Sequence, residues 1–261
     1  MFHSALSAPH CHQRIHGRRR QKHRKPIPIR DCRLDSDGVQ SKTSGLCGTR
    51  EFSGAIVFSL KNTLINMRTD DLYTVPEALP IPEDDGACDH LRGTELPSIA
   101  LQSTSGSAID LSNEGSPWLV VYCYPRTGRP DQDPPGGMEA WNAIPGARGC
   151  TPQSCAYRDH HAELSALGAT VFGLSTQDTE YQKEAAARLH LPFPLLSDAQ
   201  LAFARAMRLP TFPFADMELI KRLTLIVKDG RIQKVFYPIF PSDADAGLVI
   251  DWLTLNRGKS L

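Results

Sequence analysis

Residues 118–124, WLVVYCY, form an unbroken apolar run closed by Pro117 and Pro125. The run is short, rich in aromatic and β-branched side chains, and shows no polar alternation. Such a segment has no face to give to water, and it predicts a buried central strand. It is also far below the roughly 20 apolar residues needed to span a bilayer, as is AIVFSL at 55–60, so no membrane segment is expected.

The chain around that run reads as alternating strands and helices. SIALQST (98–104) and SAIDLS (107–112) flank a Ser-Gly turn and predict a hairpin ahead of the central strand. Residues 150–168 carry a helical pattern that stops at Gly168. ATVFGLS (169–175) predicts a second buried strand. TQDTEYQKEAAARLH (176–190) places acid early and base late, matching the helix dipole. SDAQLAFARAMRL (197–209) opens with a Ser-Asp cap. RLTLIV and RIQKVF flank KDG as a hairpin, and residues 243–257 predict a closing helix. This order fits an α/β fold, a thioredoxin-like three-layer sandwich with a mixed central sheet and an N-terminal β-hairpin. Residues 125–149 are rich in Pro and Gly, and no regular element is expected there.

The net charge of zero hides a division. Residues 1–66 hold 12 Lys and Arg against 4 Asp and Glu, a net +8; the remainder holds 17 against 25, a net −8. Residues 1–66 predict a basic, disordered extension, with RRRQKHRK at 18–25 and no interleaved aromatics or apolar core. No nucleic-acid partner is expected from it. Met67 opens a segment that reads as an ordinary acidic start, so residues 1–66 are also consistent with a mis-assigned start. Residues 67–95 predict an extended acidic, Pro-rich lead-in, and 96–257 the folded domain.

Seven cysteines without regular spacing argue against a disulfide scaffold, and none of them forms a convincing zinc pattern. No metal and no cofactor are expected. Cys150 is the informative one. A thiol in the first turn of a helix faces unpaired N–H groups and the positive end of the dipole, which favour thiolate. Cys155 follows five residues later. In a regular helix that spacing means about 7.5 Å along the axis and about 140° around it. A disulfide needs Cα atoms roughly 4.4–6.8 Å apart, so the pair can join only if the first turn unwinds.

The segment GCTPQSCAYRDHHAELSALGATVFGLSTQ, then LPFPLLSD and KRLTLIVKDG, resembles the PrxQ-type peroxiredoxins, also called bacterioferritin comigratory proteins. The resemblance runs from about Leu96 to Trp252. It implies a peroxidatic Cys150 and a resolving Cys155, with Arg222 holding the thiolate and polarising the peroxide. It also implies that Pro125 opens a loop shielding the cysteine. The expected chemistry is reduction of hydrogen peroxide or an organic hydroperoxide through sulfenic acid and a Cys150–Cys155 disulfide, recycled by thioredoxin or a similar dithiol. A cytoplasmic monomer or weak dimer is expected. Two departures stand out. Ala147 sits three residues before Cys150, where the family carries a threonine, and Pro125 lies 25 residues ahead of the cysteine instead of seven. Thr127 is the expected substitute hydroxyl.

Other residues carry lesser expectations. Arg158 and Asp159 read as an anchoring ion pair, and Arg148 as either a source of positive potential or a solvated cation. Cys123, Trp118 and Trp252 read as core, His160 and His161 as solvated side chains. Trp141 reads as a cover for the site or as packing for the loop. Two other readings remain: a thiol–disulfide exchanger or redox sensor on the same fold, and a redox-inactive module whose basic tail binds.

Overall fold

The computed structural model describes residues 70–257. The extension expected at 1–66 and the first residues of the lead-in lie outside the described residues. Residues 70–95 contain turns and irregular chain, yet Leu72, Cys88 and Leu91 are buried. The lead-in therefore packs against the domain, because its few apolar side chains need cover as much as those of the domain proper.

The strands are β1 (Ala100–Ser103), β2 (Ala108–Asp110) and β3 (Trp118–Cys123). Two helices follow, α1 (Met138–Asn142) and α2 (Cys150–Asp159), then α3 (His161–Ala166), β4 (Ala169–Ser175) and α4 (Thr179–Arg188). Next come β5 (Leu195–Ser197), α5 (Ala202–Met207), β6 (Thr211–Phe214) and β7 (Met217–Ile220). The order closes with β8 (Leu223–Lys228), β9 (Arg231–Phe236) and α6 (Asp245–Leu255). Seven strands form one mixed sheet in the order β2-β1-β5-β4-β3-β8-β9, and β6-β7 form a separate ribbon. β3, β4 and β5 are parallel, while β8 joins β3 antiparallel.

The expected α/β class and thioredoxin-like arrangement hold. Residues 118–123 of the apolar run form β3, an interior strand beside β4 at the middle of the sheet, buried throughout. Its side chains alternate between two cores, as a period of two requires. Leu119, Val121 and Cys123 face the layer containing α5 and Leu91, whereas Trp118, Val120 and Tyr122 face α2, α3 and α6. On the second side Tyr122 stacks on Tyr157 with centroids 4.4 Å apart, a contact worth about 0.5–1.5 kcal/mol beyond burial. Trp118 meets Trp252 edge-on at 5.5 Å.

Several details differ from expectation. The 125–149 stretch contains α1, which anchors the buried Trp141. The helix expected over 150–168 breaks at His160 into α2 and α3. The start of α5 is satisfied from a distance: Asp198 accepts from the N–H of Phe203 at 3.0 Å and of Ala204 at 2.8 Å. β5 and the β6–β7 ribbon were not anticipated. In the β8–β9 hairpin, Asp229 and Gly230 both take positive φ (51° and 72°), as a tight turn of this kind needs.

Candidate active site

The site forms where β3 ends and α2 begins. Gly149 precedes the helix with φ 106°, and a Cβ there would collide with the Ser242 side chain. Only glycine meets both conditions, and that close approach sets the first turn of α2 against the turn leading into α6. Cys150 is the first residue of α2 and is 3% exposed.

Arg222, on the link between β7 and β8, is the partner of that thiol. Its Nη2 donates to Cys150 Sγ at 3.2 Å and to the carbonyls of Ala147 and Arg148, each at 3.1 Å. Nη1 donates to Gln153 Oε1. The guanidinium thus sews together the thiol, the loop before it and the next helical turn. Gln153 stands three residues after Cys150 and so shares its face of α2.

Cys150 opens on a small cleft whose walls include Leu72, Thr127, Trp141, Arg148 and Thr151. The free space beside the thiol is about 20 Å³, room for little more than one water-sized group. The long insertion builds much of this wall. Arg126 and Arg129 lay their guanidiniums on the Tyr181 ring of α4 at 4.5 and 4.3 Å, and Trp141 packs edge-on against Phe214 at 4.9 Å. Trp141 therefore both lines the cleft and fastens the loop.

Thr127 comes back to the cleft despite lying 23 residues ahead of the cysteine in sequence. Its hydroxyl donates to Gln177 Oε1 at 3.1 Å, and its N–H donates to the same oxygen at 2.9 Å. Thr151 also lines the cleft, and its buried hydroxyl has no hydrogen-bond partner among the described residues. Pro125 is buried, with its carbonyl accepting from Ser175 Oγ at 3.0 Å. Ala147 is fully buried, and its carbonyl faces Cys150 Sγ at 3.5 Å.

Arg148 is a buried, paired cation. It holds Asp70 in an ion pair and donates to the Asp71 carbonyl at 2.8 Å, tying the lead-in across the cleft. Arg158 pairs with Asp159 at 2.8 Å and donates to the Leu189 carbonyl at 3.0 Å, an anchor for the end of α4. His160 pairs with Glu163 at the surface. Cys155 is half-buried, and burial pushes its thiol up, with Arg158 pulling the other way. Burial pushes Cys88 up to about 12 and Cys123 well above the ordinary thiol range.

Sequence reasoning had not singled out Gln153, Gln177 or Asp245. A three-residue step from Cys150 was a usable signal for Gln153; the other two are brought in only by the fold. Among the described residues no group of three His, Cys, Asp or Glu side chains could hold a metal ion, and no helix is long and apolar enough to cross a membrane.

Residues 91–250 match the Redoxin family. A protein of Oryza sativa subsp. indica named "Putative peroxiredoxin Q, chloroplastic" is 30% identical over 158 residues, covering 60% of this chain and 63% of the rice protein. The chain thus spans less than two thirds of that relative's length. "Peroxiredoxin Bcp" of Bacillus subtilis (strain 168) is 27% identical over 146 residues, 54% of this chain and 82% of the other. Among solved structures, peroxidoxin BcpB from Mycobacterium tuberculosis has a TM-score of 0.53 at 24% identity, covering 64% of this chain and 98% of that one. PrxQ from Xylella fastidiosa has a TM-score of 0.52 at 19% identity, covering 63% and 96%. At these identities the structures speak for the fold.

Proposed function

The chain belongs to the Redoxin family, and we propose that it is a thiol peroxidase acting through Cys150. The observation that carries the proposal is the guanidinium of Arg222 donating to a buried thiol at the first turn of a helix, 3.2 Å away, in the wall of a small cleft. The guanidinium and the N-terminal end of α2 thus lie beside the sulfur that attacks.

The thiolate attacks the outer oxygen of a hydroperoxide; the O–O bond breaks, and the alkoxide or hydroxide leaves with a proton as alcohol or water. Cys150 becomes a sulfenic acid. The Cys155 thiolate then attacks that sulfur, forming the S–S bond and displacing hydroxide, which leaves as water with the proton that the Cys155 thiol gave up. Both cysteines lie in the continuous helix α2, so the first turn must open for the sulfurs to meet. An external dithiol such as thioredoxin reduces the disulfide. Thr127 belongs to the proposed site as part of its wall, a hydroxyl near the peroxide, and Pro125 as the buried residue that opens the loop carrying it. A cytoplasmic, monomeric or weakly dimeric enzyme completes the proposal.

Stopped-flow mixing with hydrogen peroxide, followed by mass mapping, tests it. Rapid oxidation and a Cys150–Cys155 disulfide are expected. Undiminished turnover by Cys150→Ser would overturn the proposal. One observation favours a second reading, a disulfide exchanger or redox sensor: the Thr127 hydroxyl already donates to Gln177, and Ala147 offers no hydroxyl. Peroxide-dependent oxidation of reduced thioredoxin at a catalytic rate separates the two.

A further inference from the structure

Behind Cys150 lies a carboxyl group that the thiol chemistry does not use. Asp245, at the start of α6, is fully buried. Its Oδ2 accepts from Gln153 Nε2 at 2.7 Å and from Thr224 Oγ1 at 2.8 Å. The other end of Gln153, Oε1, accepts from Arg222 Nη1, and Arg222 Nη2 reaches the sulfur. Sulfur, guanidinium, amide and carboxyl form one connected chain.

Chemistry sets the direction of that chain. A guanidinium only donates and a carboxylate only accepts. The amide between them must turn its NH2 to Asp245 and its oxygen to Arg222. Reversed, it would set donor against donor at one end and acceptor against acceptor at the other, both buried. Oδ2 also accepts when the carboxyl carries a proton on its other oxygen, so the orientation holds in either charge state. We infer that Asp245 is a positioning residue: by fixing the Gln153 amide, it keeps Arg222 aimed at Cys150, without touching thiol or substrate.

The surroundings fit this role. α2 brings Gln153 and Tyr157 to the carboxyl, β8 brings Thr224, and Tyr157 OH lies 3.3 Å from Thr224 Oγ1. Tyr122, Cys123 and Arg222 are the further titratable or charged groups around it. Burial pushes the Asp245 carboxyl up, and the bonds from Gln153 and Thr224 oppose it. A lone hydrophobic residue would fill this place at less cost, and the carboxyl has a reason to be there only if its bonds matter.

The consequence for turnover rests on the peroxidase reading, so the test reads the thiol itself: the rate of Cys150 alkylation by iodoacetamide, followed by mass mapping across pH. Asp245→Ala should slow it about tenfold, while adding the same change to Gln153→Ala should cost less than about twofold more, since the two act through one path. Equal slowing in both backgrounds, or none in either, overturns the inference. A conservative pair covers the case where Asp245→Ala does not fold. In Gln153→Glu the new carboxyl mimics the amide only while protonated, so alkylation measured relative to the native chain at the same pH should fall as pH rises. Adding Asp245→Asn supplies an amide donor to that carboxyl and should remove the fall. A fall that persists overturns the inference. Hydrogen peroxide consumption by the native chain is scored separately. A chain inert to peroxide that still obeys both cycles would sink the peroxidase reading and leave the positioning role standing.

Discussion

Cys150 and Cys155 stand about 1.4 turns apart on one helix and meet different surroundings. Cys150 is buried against the end of the sheet, bonded by Arg222 and backed by Gln153, Thr224 and Asp245. Cys155 sits half-buried on another side of the helix, near Arg158, with its thiol pushed up by burial. Sharing a helix does not give the two sulfurs the same surroundings. The polar floor under one side of α2 separates the two sulfurs, and β8 and α6 supply that floor.

The sharpest way to break this asymmetry is to exchange the thiols' fates. Cys150→Ser should lose peroxide turnover by at least about 10³-fold, the scale expected for a missing nucleophile. Cys155→Ser should keep the first oxidation and stop at sulfenic acid, which dimedone trapping and intact mass would register. Recycling at the native rate by Cys155→Ser would remove the distinction.

The next largest effect is expected at the guanidinium. Arg222→Gln should slow both peroxide reduction and alkylation at Cys150 by about 10²-fold, as when one preorganised donor is lost. Cys155 alkylation, mapped in the same samples, should change little. Equal slowing at both cysteines would mean that Arg222 acts through the fold and not through the sulfur.

A third contrast comes from Cys88, whose thiol burial pushes up to about 12 from an ordinary 9.0. The folded state keeps this proton longer than the unfolded chain does. Its contribution to stability is therefore full below about pH 9 and is lost as pH rises towards 12. Over that window it should remove up to about 1.4 kcal/mol per pH unit. Urea unfolding at pH 8, 9.5 and 10.5 measures the slope, and Cys88→Ala should flatten it. At pH 8 Cys88 should resist alkylation in the folded protein while Cys150 reacts.

The smallest effects distinguish the two hydroxyls of the cleft. Thr127 donates to Gln177, whereas the Thr151 hydroxyl has no partner among the described residues. If Thr127 can swing to the peroxide, Thr127→Val should cost about fivefold in kcat/KM, the worth of one hydrogen bond. An unchanged rate removes Thr127 from the chemistry, and the same measurement on Thr151→Val shows whether that hydroxyl takes its place.

Much of this was legible in the chain. An apolar run between two prolines could only be a covered strand, and β3 is buried throughout. The KDG hairpin and the helix opening at Cys150 followed from local chemistry. β5 was hidden because LPFPLLS is short and carries two prolines, and the β6–β7 ribbon because Pro213 sits inside TFPF. Pro213 is tolerated there because the ribbon is only two strands wide. α1 was masked by the prolines and glycines around it.

By itself, then, the sequence determined the strand within 118–124, the two thiols on one helix and the condition that this helix open if they are to join. These rest on local rules: hydrophobic period, turn chemistry and the rise per residue of a helix. Which residues surround the sulfur was decided by tertiary structure alone. Arg222 is 72 residues from Cys150, and Asp245 is 92 residues from Gln153. In sequence Asp245 is an ordinary acid at a helix start. Only packing α6 against α2 takes it out of water and obliges it to find the hydrogen bonds that orient the site.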